Sequence, residues 1–356
     1  MALVVHTRGA CPWHSGAGGG FLKCMPTTAL VPDVLTTGPF RARDVLARGL
    51  LTRDQLRSSV WRRLVRGVYV HESVEPTTAV RFEAARLVLT PGTAAAGLLA
   101  AWLHGAWEPA PDRVVPLDVT RPVLSSGGAI AGLGRRRLTL RGTPDWSGGC
   151  TGHSALDHDI EDRDGLLLTS PLRTSFDLMR ERRLVEAVVV ADAFMWRLGV
   201  PRVLLAAYVA DRRRWPGVRE TRVAVDLARE GVRSPGESRL RLVYVLAGLP
   251  EPWVNVPVVD SRGVVLGVPD LTHPGRPVGS EYDGGYHDEE DQPHQDRRRQ
   301  NRLVSLGSFT LLRYDRISVR DERRIILDEA QRLTGRRAPV LLDDADFWRP
   351  SRARAW

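Results

Sequence analysis

The 356-residue sequence predicts an α/β fold, α+β overall, with a helical, hairpin-ended amino-terminal unit and a separate carboxyl-terminal α/β unit. Three observations lead there. The chain is long enough for two or three domains, each with its own core. Short apolar helical stretches give way to a β-hairpin before residue 75, and the last third reads as helix, three-strand meander, helix and strand. No internal repeat at solenoid or propeller period competes with that reading.

Residues 1–24, glycine-rich and containing Cys11-Pro-Trp-His14, lack the charged start and continuous apolar stretch of a signal peptide. They are expected to be a disordered leader or an over-extended gene start, with a first domain over residues 25–75. In that domain Phe40, Val45 and Leu46 form a helical apolar face that ends at Gly49. Thr52-Arg-Asp-Gln55 is a capping box opening a second short helix. Ser58 and Ser59 cap an expected third helix that carries Val60, Trp61 and Leu64 inward and Arg57, Arg62 and Arg63 outward. Arg66-Gly-Val-Tyr-Val70 follows as a strand. This is the order of a winged helix-turn-helix, whose last helix enters the major groove. It also suits a small structural bundle with a solvated arginine face.

A middle domain is expected over residues 76–215. Residues 78–105 read as one strongly apolar helical region, with His104 as a satisfied core or cap histidine. Short apolar runs from Val114 to Leu140 read as strands, and Ser170-Pro171 opens a helix that runs through Met195. Asp177 and Asp192 lie on that helix with no other acid at catalytic spacing. Residues 211–235, arginine-rich and helical, form the joint to a carboxyl-terminal domain over residues 230–335, with a tail at 336–356. There Ser234-Pro-Gly-Glu237 begins a helix through Ala247. Trp253–Val259, Val264–Leu271 and Val278–Asp283 are strands, Asp291–Leu306 a helix and Ser308–Tyr314 a last strand.

The net charge of +9 points toward a polyanionic partner. Lys23 is the only lysine, however, and arginine in place of lysine throughout is what GC-rich coding yields whatever the function. Three cysteines without metal-site spacing suit a reducing, cytoplasmic compartment. No apolar run is long enough to span a bilayer.

The chemistry concentrates at Glu281-Tyr-Asp283-Gly-Gly-Tyr-His287, with Asp270 just upstream. In an extended chain Glu281 and Asp283 share a face, and a strand ending in Asp270 pairs beside them across a His-Pro-Gly-Arg-Pro turn. Three carboxylates are then expected on one spot. At a separation of roughly 4 Å and an effective dielectric of about 20, each like-charged pair costs about 4 kcal/mol. Such a group must hold a cation or take up protons. Oxygen ligands favour Mg²⁺ or Mn²⁺. Glu237 has a local role as well, three residues after Ser234 as a capping-box glutamate.

From Ser234 to Asp315 this pattern resembles the PD-(D/E)xK nuclease superfamily, and within it the branch related to very-short-patch-repair (Vsr) endonucleases. The resemblance rests on Glu237, Pro269-Asp270, Glu281-x-Asp283-Gly-x-x-His287, Asp296-Arg297-Arg298 and Leu311-Leu-Arg313. It implies a restriction-endonuclease-like α/β domain with Asp270 and Glu281 as metal ligands, Asp283 in support, His287 as general base and Glu237 on the first helix. Asp283 stands where many relatives have a lysine, which this domain lacks. Arg297, Arg298, Arg299 and Arg302 would contact the DNA backbone.

Residues 34–200 carry a second resemblance, through Leu51-Thr-Arg-Asp-Gln-Leu56, Arg63-Leu-Val-Arg-Gly-Val-Tyr-Val70, Ala96–Gly105 and Ser170–Asp177. They look like the AbiEi-type antitoxin family of type IV toxin–antitoxin systems. That likeness implies DNA contacts by Arg57, Trp61, Arg62 and Arg63, with Arg66 at the wing, and leaves room for a cognate toxin as partner. Two functions follow as expectations: a Mg²⁺-dependent DNA endonuclease or nickase, or a non-catalytic regulator whose nuclease fold only binds DNA.

Overall fold

A computed structural model describes residues 32–89, 93–110, 113–121, 134–137, 158–284 and 309–338. Helices and mixed sheets alternate through them, as the sequence predicts. Among the described residues no helix is long and apolar enough to cross a membrane. The expected leader, the helix Asp291–Leu306, His287, Arg297, Arg298, Arg299, Arg302 and most of the tail lie outside the described residues.

In the first unit a 3-10 turn at Asp33–Leu35 leads into β1 (Phe40–Arg41) and α1 (Ala42–Ala47). The capping box is present: Gln55 N donates to Thr52 Oγ1 at 3.2 Å, and Thr52 N to Gln55 Oε1 at 2.7 Å. It opens only one 3-10 turn, Gln55–Arg57. The third helix is absent; in its place β2 (Trp61–Val65) pairs antiparallel with β3 (Val68–His71), and β1 lies on the other side of β3. Gly67, at φ +80°, makes the hairpin turn. A register shift between Arg63 and Val65 explains the misreading. The bulge lets Arg62 and Arg63 face solvent in succession while Trp61, Leu64 and Val65 turn inward, and that three-residue spacing mimics a helical period. Trp61 is therefore turned inward on a strand and does not stand on an exposed helix face. It is buried, with the Phe40 ring edge-on at 5.2 Å and His71 at 5.4 Å.

The apolar stretch 78–105 is not one helical region. It divides into α2 (Thr78–Arg86), β4 (Ala94–Ala95) and α3 (Gly97–His104). Ala94 and Ala95 favour helix by propensity, yet both are completely buried at the centre of a five-stranded sheet, where pairing on two sides decides the conformation. The other strands are β5 (Asp118–Arg121), β6 (Gly134–Arg137), β7 (Ile160–Arg163) and β8 (Leu166–Thr169), in the order β6-β5-β4-β8-β7. His104 is a core histidine, as the sequence suggests, but only half satisfied: its Nε2 lies 2.8 Å from Thr169 O while its buried Nδ1 has no hydrogen-bond partner, and burial lowers its pKa to about 4.

Ser170 caps α4 (Pro171–Arg180), which stops short of the expected length; a turn at 181–183 separates it from α5 (Leu184–Leu198). α6 (Arg202–Asp211) and α7 (Val218–Leu227) complete a helical layer. Then come α8 (Pro235–Leu246), β9 (Trp253–Val254), β10 (Val258–Val259), β11 (Val265–Gly267), β12 (Leu271–Thr272), β13 (Val278–Asp283) and β14 (Thr310–Asp315). α9 (Arg316–Asp321) and α10 (Arg323–Thr334) follow. Of the expected meander strands the first two are each cut in two and the third, Val278–Asp283, is intact: β9, β12, β13 and β14 form one sheet in the order β14-β13-β12-β9, while β10 and β11 form a separate ribbon.

The joint at 211–235 is no loose linker. One core runs from α3 through Phe176, Val188 and Leu205 to Leu240 and Tyr244 of α8, and on to Leu271, Tyr314 and Ile326. Across it Arg239 pairs with Glu186 at 2.8 Å, and Ser238 Oγ donates to Asp192 at 2.8 Å. Burial pushes the Asp192 carboxyl up to about 6 against the opposing charge of Arg241.

Candidate functional site

Proline and serine set the start of α8. Ser234 Oγ accepts from Glu237 N at 3.1 Å, Pro235 occupies the first turn, and the Glu237 carboxylate accepts from Arg233 N at 2.9 Å. Glu237, 6% exposed, also accepts from Asn255 Nδ2 at 2.9 Å. Asn255 in turn donates its backbone N–H to Asp270 O at 2.9 Å. Asn255 has φ 49°, a left-handed backbone that ends β9 and breaks the expected strand Trp253–Val259. This asparagine, which sequence reasoning passed over, ties Glu237 to Asp270. Its signal was an αL-tolerant residue among valines, with Pro257 two residues on also arguing against one continuous strand.

Asp270 and Glu281 stand on neighbouring strands. The strands β12 and β13 pair antiparallel with Leu271 opposite Ser280, so Asp270 stands level with Glu281 one residue further on. Asp270 Oδ2 accepts from Tyr282 N at 2.8 Å. Burial, then the charges of Glu237 and Glu281, push the Asp270 carboxyl up to about 7, although the Tyr282 bond and Arg233 pull the other way. The Arg233 guanidinium lies 5.4 Å over the ring of the exposed Trp196. Glu281 pairs with Arg313, its register partner on the parallel strand β14, at 3.3 Å.

The three-acid spot is corrected in one respect. Among the described residues no three of His, Cys, Asp and Glu gather as a ligand set for a metal. β13 runs past the start of β12, so Asp283 extends roughly 6.6 Å beyond Glu281, exposed and level with Asp315 of β14 instead. Asp315 is itself engaged, accepting from Ser318 N at 2.8 Å as the cap of α9. Glu237, rather than Asp283, is the second acid that acts on Asp270.

Tyr282 points to the opposite face, against the start of α8. A Cβ on Gly236 would sit 2.0 Å from its ring. Gly236→Ala is therefore expected to displace Tyr282, loosen the Tyr282 N to Asp270 bond and cost about 1–3 kcal/mol. Urea denaturation checks this; a variant as stable as the wild type would refute the close approach.

Among the arginines expected on DNA, Arg62, Arg63 and Arg66 are exposed along and beyond β2. Arg57 is exposed too and pairs with Asp54 at 2.9 Å.

No family model matches the chain, and no solved structure matches it. It is similar to uncharacterized proteins of Mycobacterium tuberculosis, from strains CDC 1551 / Oshkosh and ATCC 25618 / H37Rv. Each is 26% identical over 187 residues, which cover 52% of this chain and 64% of the relative. The alignment thus spans less than two thirds of those relatives' length.

Proposed function

We propose that this chain is a DNA-binding protein whose carboxyl-terminal unit is a Mg²⁺- or Mn²⁺-dependent DNA endonuclease or nickase, working in the cytoplasm in a defence or repair setting. One observation carries the reading: Asp270 and Glu281 stand level on paired strands, with the Asp270 carboxyl pushed up by burial and like charge. The order α8, β9, β12, β13, β14 supports the nuclease-fold resemblance. α1, a single 3-10 turn and the β2–β3 hairpin support a winged-helix resemblance with one helix fewer than expected.

The donor set fits Mg²⁺, which is commonly held through one or two carboxylates with waters and substrate phosphates completing its shell. Asp270 and Glu281 would hold it. Such an ion makes bound water more acidic and offsets charge developing on a phosphate. In this reading His287 accepts the proton and Arg313 keeps Glu281 in place. Purified protein with Mg²⁺ or Mn²⁺ is expected to nick supercoiled plasmid, and Asp270→Ala to abolish it; equal nicking by both proteins would end the enzymatic reading.

A second reading, a non-catalytic antitoxin-like regulator, is favoured by the lack of lysine throughout this unit and by the exposed arginines of the hairpin. Arg62→Ala with Arg63→Ala is expected to weaken DNA binding and to lower the salt slope by about 1.8, two phosphate contacts at about 0.9 each. Fluorescence anisotropy across a salt series measures it. Unchanged affinity and slope would remove the hairpin from the DNA interface.

A further inference from the structure

The face of the sheet that carries Glu281 holds a second feature. Leu271 and Ser280 point to α8, where Leu271 joins the core and Ser280 Oγ lies 2.9 Å from Tyr244 Oη. Their neighbours Thr272 and Gly279, a register pair, therefore face the other way, as Glu281 does two residues along β13. On that side a cavity of about 520 Å³ opens, lined by Leu266, Phe309, Trp253, Pro257 and Pro277, with Arg276 beside them. Thr272 lines it too, 7% exposed, and its hydroxyl has no hydrogen-bond partner. Trp253 on the edge strand remains 53% exposed.

We propose that this cavity receives one unpaired nucleobase of the DNA strand held at Asp270 and Glu281. The proposal rests on the nuclease reading above and adds a substrate class to it: DNA with a base out of the stack. A binding cavity of roughly 300–1,000 Å³ suits a small ligand, so the space accommodates a base with part of its sugar. The exposed indole of Trp253 offers a stacking face that any base can use. The orphan Thr272 hydroxyl needs a polar partner, which the edge of a base supplies. Arg276 meets the flanking phosphate. The acid in the lining, Asp260, is turned into its own turn, its Oδ1 accepting from Arg262 N at 2.8 Å and Val264 N at 2.9 Å.

Spacing supports the assignment. The Thr272–Gly279 pair lies two residues along the strands from the Asp270–Glu281 level, roughly 6.6 Å. Along a B-form duplex each strand advances about 3.4 Å per nucleotide. The base in the cavity thus belongs to a nucleotide about two steps from the phosphate at the acids.

Fluorescence anisotropy in EDTA with two short labelled duplexes, one fully paired and one carrying a single-base bulge, tests this without turnover. Trp253→Ala and the near-isosteric Thr272→Val are each expected to weaken binding of the bulged duplex, Trp253→Ala by about tenfold. The paired duplex should bind within about twofold of wild type by the same measure. Equal loss on both duplexes, or no loss on either, would overturn the proposal. So would a Trp253→Ala variant that changes oligomeric state on gel filtration while binding both duplexes normally, since the cavity would then seat protein. Wild-type nicking that Asp270→Ala abolishes, with bulge binding indifferent to Trp253, would sink the base site and keep the nuclease. Loss of bulge preference in Trp253→Ala with no nicking by wild type would keep the site and sink the nuclease.

Discussion

Asp270→Asn is expected to make the metal-free protein more stable at about pH 8, by about 2 kcal/mol, while ending any nicking. The sign follows from linkage. The Asp270 carboxyl is pushed up to about 7, from an ordinary value of 3.8, by burial and then by Glu237 and Glu281. A raised acid favours folding when protonated. Its contribution is complete below about pH 4 and is lost as the pH climbs through about 7. Above that, the folded protein carries a charge that its surroundings disfavour. A shift of this size corresponds to about 4 kcal/mol, which partial solvent access of the group reduces to about half. Asparagine removes the charge and keeps an oxygen for Tyr282 N. Urea denaturation at a series of pH values should show the two proteins converging as the pH falls from about 7 toward about 4. Millimolar Mg²⁺ should narrow the gap at high pH by stabilising only the wild type. A variant less stable than wild type at high pH would mean that Asp270 is a structural anion rather than a cation ligand in waiting.

Asp159→Ala is expected to cost about 3–5 kcal/mol, the range found when one partner of a buried ion pair is deleted. Asp159 is completely buried, with Arg173 Nη1 at 2.7 Å, Arg212 Nη2 at 2.9 Å and a hydrogen bond from Tyr208 Oη. Arg173 also reaches Asp177 at 2.7 Å, and Arg180 meets the other oxygen of Asp177 at 2.9 Å. Arg212 stacks on the Tyr208 ring at 3.3 Å, and Trp215 covers Arg173 at 4.8 Å. Alanine would leave two guanidiniums, both essentially without solvent, facing one carboxylate fewer. The same cluster holds the Tyr208 hydroxyl in its protonated form, through burial and the Asp159 charge. Chemical denaturation measures the cost. A loss below about 1 kcal/mol would mean that the guanidiniums find water or other acceptors, and that the cluster contributes little.

The acids of the candidate site were legible because strand geometry is local. Two short strands joined by a five-residue turn, His273 to Pro277, leave little freedom in register, so Asp270 falls level with Glu281. The cap at Ser234 and the box at Thr52 were legible for the same reason, each needing only partners three residues apart. The misreadings share a cause as well. Trp61 and Leu64 have helical spacing, but a β-bulge makes the same inside-outside pattern, and only pairing with β3 selects the strand.

By itself, then, the sequence determined the mixed α/β class, the capped starts of its helices and the pairing level of Asp270 with Glu281, since each depends on neighbours close along the chain. Tertiary structure decided which acid joins that pair, because Glu237 arrives from another element by way of Asn255. It also decided that Asp159, Arg173 and Arg212, 14 and 53 residues apart along the chain, share one buried cluster. No periodicity records such contacts. They exist because charged groups driven inward with the apolar core must find each other once water has been excluded.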